Sequence, residues 1–335
     1  MPLAITIRDI AKKAGVSVTT VSRVLNNKPD VSKKTREKVL QVIADMGYSP
    51  NAMARGLIWR KTLTIGLVIP DIGNPFFAEV AKGVEHRARE RGYSVIFCTT
   101  DSEPQREQEA IELLCSKQVD GIIVSLSVES RSVLERLEKQ RFPVVQIDRK
   151  VPGSNYSAIA VDNVASAYTA TKYLIRQGHS RIAHITGDMN TKTAQDRLLG
   201  YKEALSDWGL RLEHQLIVHG DFSKGSGILC MEELLSRTPL PSAVFVGNDL
   251  MALGAMEAIG KHGLRVPDDV ALVGYDNIDL AASLQLTTIM QPKFEMGQLA
   301  ATTLITSIEK GEPAVGDIIL DTMLIERKSS AATVL

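Results

Sequence analysis

The 335-residue sequence predicts a small all-α head joined to an α/β core of two doubly wound, parallel-sheet lobes. Three observations carry that expectation. Residues 7–25 hold two short amphipathic helical stretches with a glycine between them. From residue 63 onward, Val/Ile-rich runs alternate with amphipathic stretches. The charge divides at the same place: residues 1–62 carry 12 Lys/Arg against 4 Asp/Glu, and the remainder 27 against 35. A net charge of zero therefore hides a basic head on an acidic body. That is the asymmetry of a nucleic-acid-binding module joined to something that avoids nucleic acid.

In the head, TIRDIAKKAGVSVTTVSRVLN places Ile7, Ile10, Ala11 and Ala14 at helical spacing on one stripe. Gly15 permits a tight turn that a Cβ would resist. Ser17 can cap a second helix, whose inner side is Val21, Val24 and Leu25. Val18, Thr19, Thr20, Ser22 and Arg23 remain on the outer side. This is a helix-turn-helix, whose second helix enters the DNA major groove; the bland alternative is an ordinary helical hairpin. A third helix is expected over 32–46, with Val39, Val42, Ile43 and Met46 inward and Gly47 as its stop. Pro50 then breaks the chain, and residues 51–58 hold barely two turns of helix-forming residues. Helices shorter than about 12 residues are marginal alone, and Gly56 costs roughly 1 kcal/mol relative to Ala. The segment reads as a hinge that is helical only when held, or as a plain linker. The expected division is head 1–49, hinge 50–61 and core 62–335.

Strands are expected in the core at 63–70, 94–98, 121–126, 143–147, 181–186, 216–220, 243–247 and 270–275. Helical stretches such as 78–91 and 105–117 separate nearly all of them. Continuous apolar runs of this kind mark parallel strands covered on both faces. Two successive open sheets follow, dividing near residue 160, with a cleft between them. Ligands in such folds collect at the carboxyl ends of strands.

Several classes are excluded. Cys98, Cys115 and Cys230 are scattered and at no metal-ligand spacing, which suits a reducing compartment. No apolar run reaches about 18 residues and no secretory signal opens the chain, so a cytoplasmic protein is expected, neither membrane-bound nor an exported receptor. His214 and His219 lack the spacing of a zincin pair, His179 in GHSRI reads as a structural turn residue, and no glycine-rich phosphate fingerprint follows a strand. Neither enzyme chemistry, a metal nor a cofactor is expected.

The ordered motifs IRDIAKKAGVSVTTVSRVLN, VSKKTREKVLQVIADMGYSPNAMARGL, DGIIV, GHSRIAHITG, NDLMALGAMEAI, VPDDVALVGYDN and TTIMQP resemble those of the LacI/GalR family of bacterial transcription repressors. The resemblance covers essentially the whole chain. It implies a homodimer reading a palindromic operator, and a core like the type I periplasmic sugar-binding proteins. The N-lobe would take 62–160 and 291–320, the C-lobe 161–290 and 321–330. Val18, Thr19 and Arg23 match the family's base readers. The arginine fork suits guanine O6 and N7, Val18 a thymine methyl, and Thr19 adds a hydroxyl. Thr20 and Ser22 suit phosphates. Thr6, Ser17, Asn26, Asn51, Ala54 and Arg55 complete the implied DNA-contact set. Leu57 matches the leucine that wedges open a central base step at a cost of a few kcal/mol, repaid by the bend.

Charge-assisted hydrogen bonds and aromatic walls are what a neutral sugar needs. The strand-end loops offer them: Asn74, Phe76 and Phe77 in GNPFF, Asp148 and Arg149, Arg197, Phe222, Asn248, Asp276 and Gln291. Each has a plainer reading. Asp148 and Arg149 could form a surface ion pair, Asn248 and Asp276 could form turns, Phe76 and Phe77 could be core, and Asp249 could cap the following helix. Together, in chain order, the set resembles that of ribose-binding proteins and ribose-type repressors, which points to D-ribose or a close relative as effector. The alternatives within the family are a catabolite regulator answering to a phosphorylated carrier protein and a purine-type regulator that needs a corepressor. The sequence leaves open whether ligand releases or strengthens operator binding. SSAATVL, at the end of the sequence, shows no leucine heptad, so a dimer rather than a tetramer is expected. The helix near 78–91 is a candidate dimer contact or simply a cover for the sheet.

Overall fold

The computed structural model describes residues 5–25, 28–47 and 61–330. The chain divides into two compact units, Met1–Thr62 and Leu63–Leu335. In the first unit lie α1 (Ile7–Ala14), α2 (Val18–Leu25) and α3 (Lys33–Met46). The Thr6 N–H and hydroxyl both donate to Asp9 Oδ2, at 2.8 and 2.7 Å, which fixes the start of α1. Gly15 closes that helix at φ 63°, a conformation glycine reaches without strain. The Thr20 N–H donates to Ser17 Oγ at 3.0 Å, so Ser17 caps α2 as expected. Ile10, Ala14, Val21 and Val39 are fully buried between the helices, with Leu25, Val42, Ile43 and Met46 packed around them.

The second unit contains two six-stranded sheets. The first uses β1 (Thr64–Ile69), β2 (Ser94–Thr99), β3 (Gly121–Val124), β4 (Val144–Ile147), β5 (Ala158–Val161) and β11 (Ile318–Leu320) in the order β11-β5-β4-β3-β1-β2. The second uses β6 (Ile182–Thr186), β7 (Ile217–His219), β8 (Ala243–Val246), β9 (Ala271–Asp276), β10 (Thr287–Met290) and β12 (Met323–Ile325) in the order β12-β10-β9-β8-β6-β7. All neighbours run parallel except the edge strand β12, which is antiparallel to β10. β3 and β8 are buried at every residue, the condition their unbroken apolar runs imply, and so is β4, where Gln146 donates to the Tyr156 carbonyl at 3.0 Å.

Helices cover both faces of each sheet. In the first lobe α4 (Pro75–Glu90) and α12 (Lys293–Lys310) pack on one face, and α5 (Pro104–Ser116) and α6 (Arg131–Lys139) on the other. In the second lobe α7 (Asn163–Arg176) and α8 (Lys192–Asp207) share one face, α9 (Lys224–Leu235) and α10 (Asp249–Lys261) the other. The short α11 (Asp279–Ser283) follows β9. The chain passes between the lobes three times, at 161–163, 290–293 and 320–323.

Each of the eight expected strands is present, with ends within about two residues. β5, β10, β11 and β12 were not anticipated. They are three or four residues long, and β11 and β12 are edge strands. The last two are three-residue apolar runs separated only by Asp321 and Thr322, with no helical stretch between them to mark two strands.

Candidate functional site

The outer face of α2 offers the first candidate surface. Ser17, Val18, Thr19 and Arg23 are exposed, and Thr20 and Ser22 half-buried. Arg8, Lys12, Lys13, Lys28, Lys33, Lys34 and Lys38 are exposed on the same unit, so the positive charge read from the sequence lies on its surface. Several of the expected contact groups already have partners. Ser17 Oγ and Thr20 Oγ1 share a hydrogen bond of 2.8 Å, and Thr6 is occupied with Asp9. The Arg23 guanidinium lies 2.9 Å from Asp30 Oδ2, with both side chains about half exposed. Asn26, Asn51, Ala54, Arg55 and Leu57 lie outside the described residues.

In the second unit a cavity of about 440 Å³ opens between the carboxyl ends of the two sheets. Nine of the ten expected ligand residues line it: Asn74, Phe76 and Phe77 at the start of α4, Asp148 and Arg149 after β4, Arg197 on α8, Phe222 after β7, Asn248 before α10, and Asp276 at the end of β9. The tenth, Gln291, stands behind them and donates from Nε2 to Asp276 Oδ1 at 2.8 Å.

Strand-end geometry explains why these side chains meet. Asn74 caps α4, its Oδ1 accepting the Phe76 N–H at 3.0 Å. Asn248 caps α10 through the Met251 N–H at 2.9 Å, and its Nδ2 donates to the Phe222 carbonyl at 3.0 Å. Each asparagine is thus a cap and a cavity wall at once. Asp249 is not the cap that its position suggested. It is fully buried one residue later, where it accepts from the Thr288 hydroxyl at 2.6 Å and the Ile278 N–H at 2.9 Å. Burial, then the charge of Asp276, pushes its carboxyl well above the usual carboxylate range.

Asp148, Arg149, Arg197 and Asp276 are each only 4–5% exposed, which rules out the surface-ion-pair reading of the first two. Arg149 Nε is 3.4 Å from Asp148 Oδ2, and its Nη1 donates to Ser102 Oγ at 3.1 Å. The guanidinium carbon lies 6.0 Å from the Phe77 ring and 5.9 Å from that of Phe222, so one cation is flanked by aromatics from both lobes. Arg197 stacks at 3.7 Å on Tyr275 and donates to Asn163 Oδ1 at 2.9 Å and the Gly247 carbonyl at 2.6 Å. Burial raises Asp148 and Asp276, and the nearby arginines oppose the rise. Phe222 holds φ 72°, unusual for a large side chain. Its ring fills the space beside Gly187, where a Cβ would lie 1.9 Å from Cζ.

Sequence reasoning missed part of the wall. Asp71, Asp101, Ser102, Thr193, Asp221, Ser223 and Lys224 also line the cavity. Asp101 and Ser102 follow β2 as Asp148 and Arg149 follow β4, so the strand-end rule could have found them. Their φ angles of 51° and 57° turn the chain sharply there. Asp71, Asp101, Asp221 and Lys224 are exposed along the cavity, and Asp101 is paired with Arg106. Among the described residues no group of three or more His, Cys, Asp or Glu side chains could hold a metal ion, and no helix is long and apolar enough to cross a membrane.

Comparison with known proteins agrees with this division. Residues 62–328 match the family described as periplasmic binding proteins and sugar binding domain of LacI family. Residues 6–51 match the bacterial regulatory proteins, lacI family. The chain is 39% identical over 331 residues to the HTH-type transcriptional regulator DegA of Bacillus subtilis, covering 97% of this chain and 98% of that one. It is 39% identical over 326 residues to a ribose operon repressor of Haemophilus influenzae, with the same coverage. It is 38% identical over 309 residues to the catabolite control protein A of Priestia megaterium, covering 91% and 93%. Among solved structures, the lac repressor dimer bound to operator and an anti-inducer superposes with a TM-score of 0.88 at 30% identity, covering 98% of this chain and 99% of that one.

Proposed function

The chain belongs to the LacI family of bacterial transcription regulators, and on that premise we propose that D-ribose, or a close relative, binds the interlobe cavity and sets operator affinity. The family makes it a DNA-binding repressor with a sugar-binding domain, and not an enzyme. The observation that carries the finer reading is the set of four buried charges under three phenylalanines. Two carboxylates and two guanidinium groups supply charge-assisted hydrogen bonds to hydroxyls, and Phe76, Phe77 and Phe222 cover C–H faces. The two carboxylates and two guanidinium groups cancel, which favours a neutral sugar over its phosphate. Similarity to a ribose operon repressor supports the choice of sugar; similar identity to a catabolite control protein means that identity alone does not make it.

Val18, Thr19 and Arg23 read base edges, Thr20 and Ser22 hold phosphates, and Leu57 wedges the central step, in a cytoplasmic homodimer on a palindromic operator. Sugar binding releases that operator. Calorimetric titration with D-ribose, arabinose, fructose, hypoxanthine and D-ribose 5-phosphate tests the effector. Heat with D-ribose and none with the phosphate or hypoxanthine is expected. Absence of heat with any pentose would sink the sugar assignment.

A further inference from the structure

We propose that Asn163 is a positioning residue that ties the cavity arginine Arg197 to the first passage between the lobes. This rests on the reading that Arg197 grips the effector. Asn163 is the first residue of α7, two residues beyond the end of β5. It is 6% exposed and does not itself line the cavity. Its Oδ1 accepts two hydrogen bonds, from Arg197 Nε at 2.9 Å and from the Tyr275 hydroxyl at 3.1 Å. Its Nδ2 points back to the Val161 carbonyl at 3.4 Å, on the strand it has just left. Two donors meeting one oxygen fix which way the amide faces, since a flip would set the amide N–H groups against both.

Arg197 is thereby held at three places: Nε by Asn163, Nη1 by the Gly247 carbonyl, and its face by the Tyr275 ring. Further along α7, the Ser166 hydroxyl lies 2.8 Å from Thr322 Oγ1 on the third passage. One cavity cation is thus linked by a hydrogen bond to the first of the three segments that join the lobes, and the helix that begins there is itself tied to the third. An amide at 163 makes the aim of Arg197 and the lobe angle one quantity instead of two. Any uncharged side chain without an acceptor oxygen leaves two buried donors unpaired.

Three variants test the assignment in the full chain. Asn163→Asp keeps the acceptor, Asn163→Leu keeps the size without it, and Asn163→Ala removes both. D-ribose affinity is measured by calorimetry, folding by thermal melting, and the solvent exchange of the Arg197 Nε–H by NMR of arginine-labelled protein. The Leu and Ala variants are expected to bind D-ribose about 10- to 100-fold more weakly, the cost of unpaired buried donors. Their Arg197 Nε–H should exchange faster, while the Asp variant behaves as the wild type in both measurements. A folded Leu or Ala variant with wild-type affinity and an equally protected Nε–H would overturn the proposal. Should the wild type take up no D-ribose, the sugar assignment fails, and the exchange measurement alone decides the role of Asn163.

Discussion

At the scale of single residues, burial and not exposure distinguishes the groups that matter, and it also sets their protonation. His184, stacked between Tyr201 and Phe245, is fully buried, and burial pushes its pKa down to about 3. Its folded pKa lies below the unfolded value, so its contribution is complete above about pH 6.5 and is lost as pH falls. Asp249 has the opposite sign. Its folded pKa is raised, so its contribution is complete at acid pH and lost as pH rises above about 4, the ordinary carboxylate value. Melting curves should therefore show Asp249→Asn gaining on the wild type as pH rises, and His184→Phe gaining on it between pH 7 and 5. Parallel curves for variant and parent would contradict both. Gly187→Ala should displace the Phe222 ring, at an overpacking cost of about 1–3 kcal/mol, and weaken D-ribose binding. An unchanged affinity would show that this ring does not cover the ligand. Asn74, Asp148 and Asn248 were legible because strand ends are where such folds collect ligands. Asp249 was misjudged because a helix start favours any acidic residue, and only its burial shows that it faces Thr288 instead of solvent.

The elements divide into those with a strong period and those without. α1 and α2 were readable from their apolar stripes and from the Ser17 cap, and β3 and β8 from unbroken apolar runs. β11 and β12 were not, because their two three-residue apolar runs follow each other across Asp321 and Thr322 with no helical stretch between them. The reading element itself yields a direct prediction. The exposed Arg23–Asp30 pair is worth about 0–1 kcal/mol, whereas a guanine contact discriminates by about 1–3 kcal/mol. Arg23 should therefore exchange Asp30 for the base edge at little cost. Arg23→Ala is expected to relax preference at one base pair per half-site in a binding-site selection. Unchanged preference would remove Arg23 from the set of readers.

For the molecule as a whole, the two units carry opposite charge and separate chemistry, and the repressor works only if one governs the other. The lobe assignment was harder to read than the lobes, because the chain passes between the sheets three times and the last of those passages joins two short strands at the sheet edges. Arg197 and Asp276, the cavity groups hydrogen-bonded to those passages through Asn163 and Gln291, put the cavity beside the segments that join the lobes. Linkage then requires that the effect run both ways by the same factor. The direct test is a closed thermodynamic cycle on the full chain: operator affinity by fluorescence anisotropy with and without D-ribose, and D-ribose affinity by calorimetry with and without operator DNA. The expected result is that sugar weakens operator binding and operator weakens sugar binding by an equal ratio, of about 5- to 150-fold. D-ribose that binds the cavity yet leaves operator affinity unchanged would contradict the account.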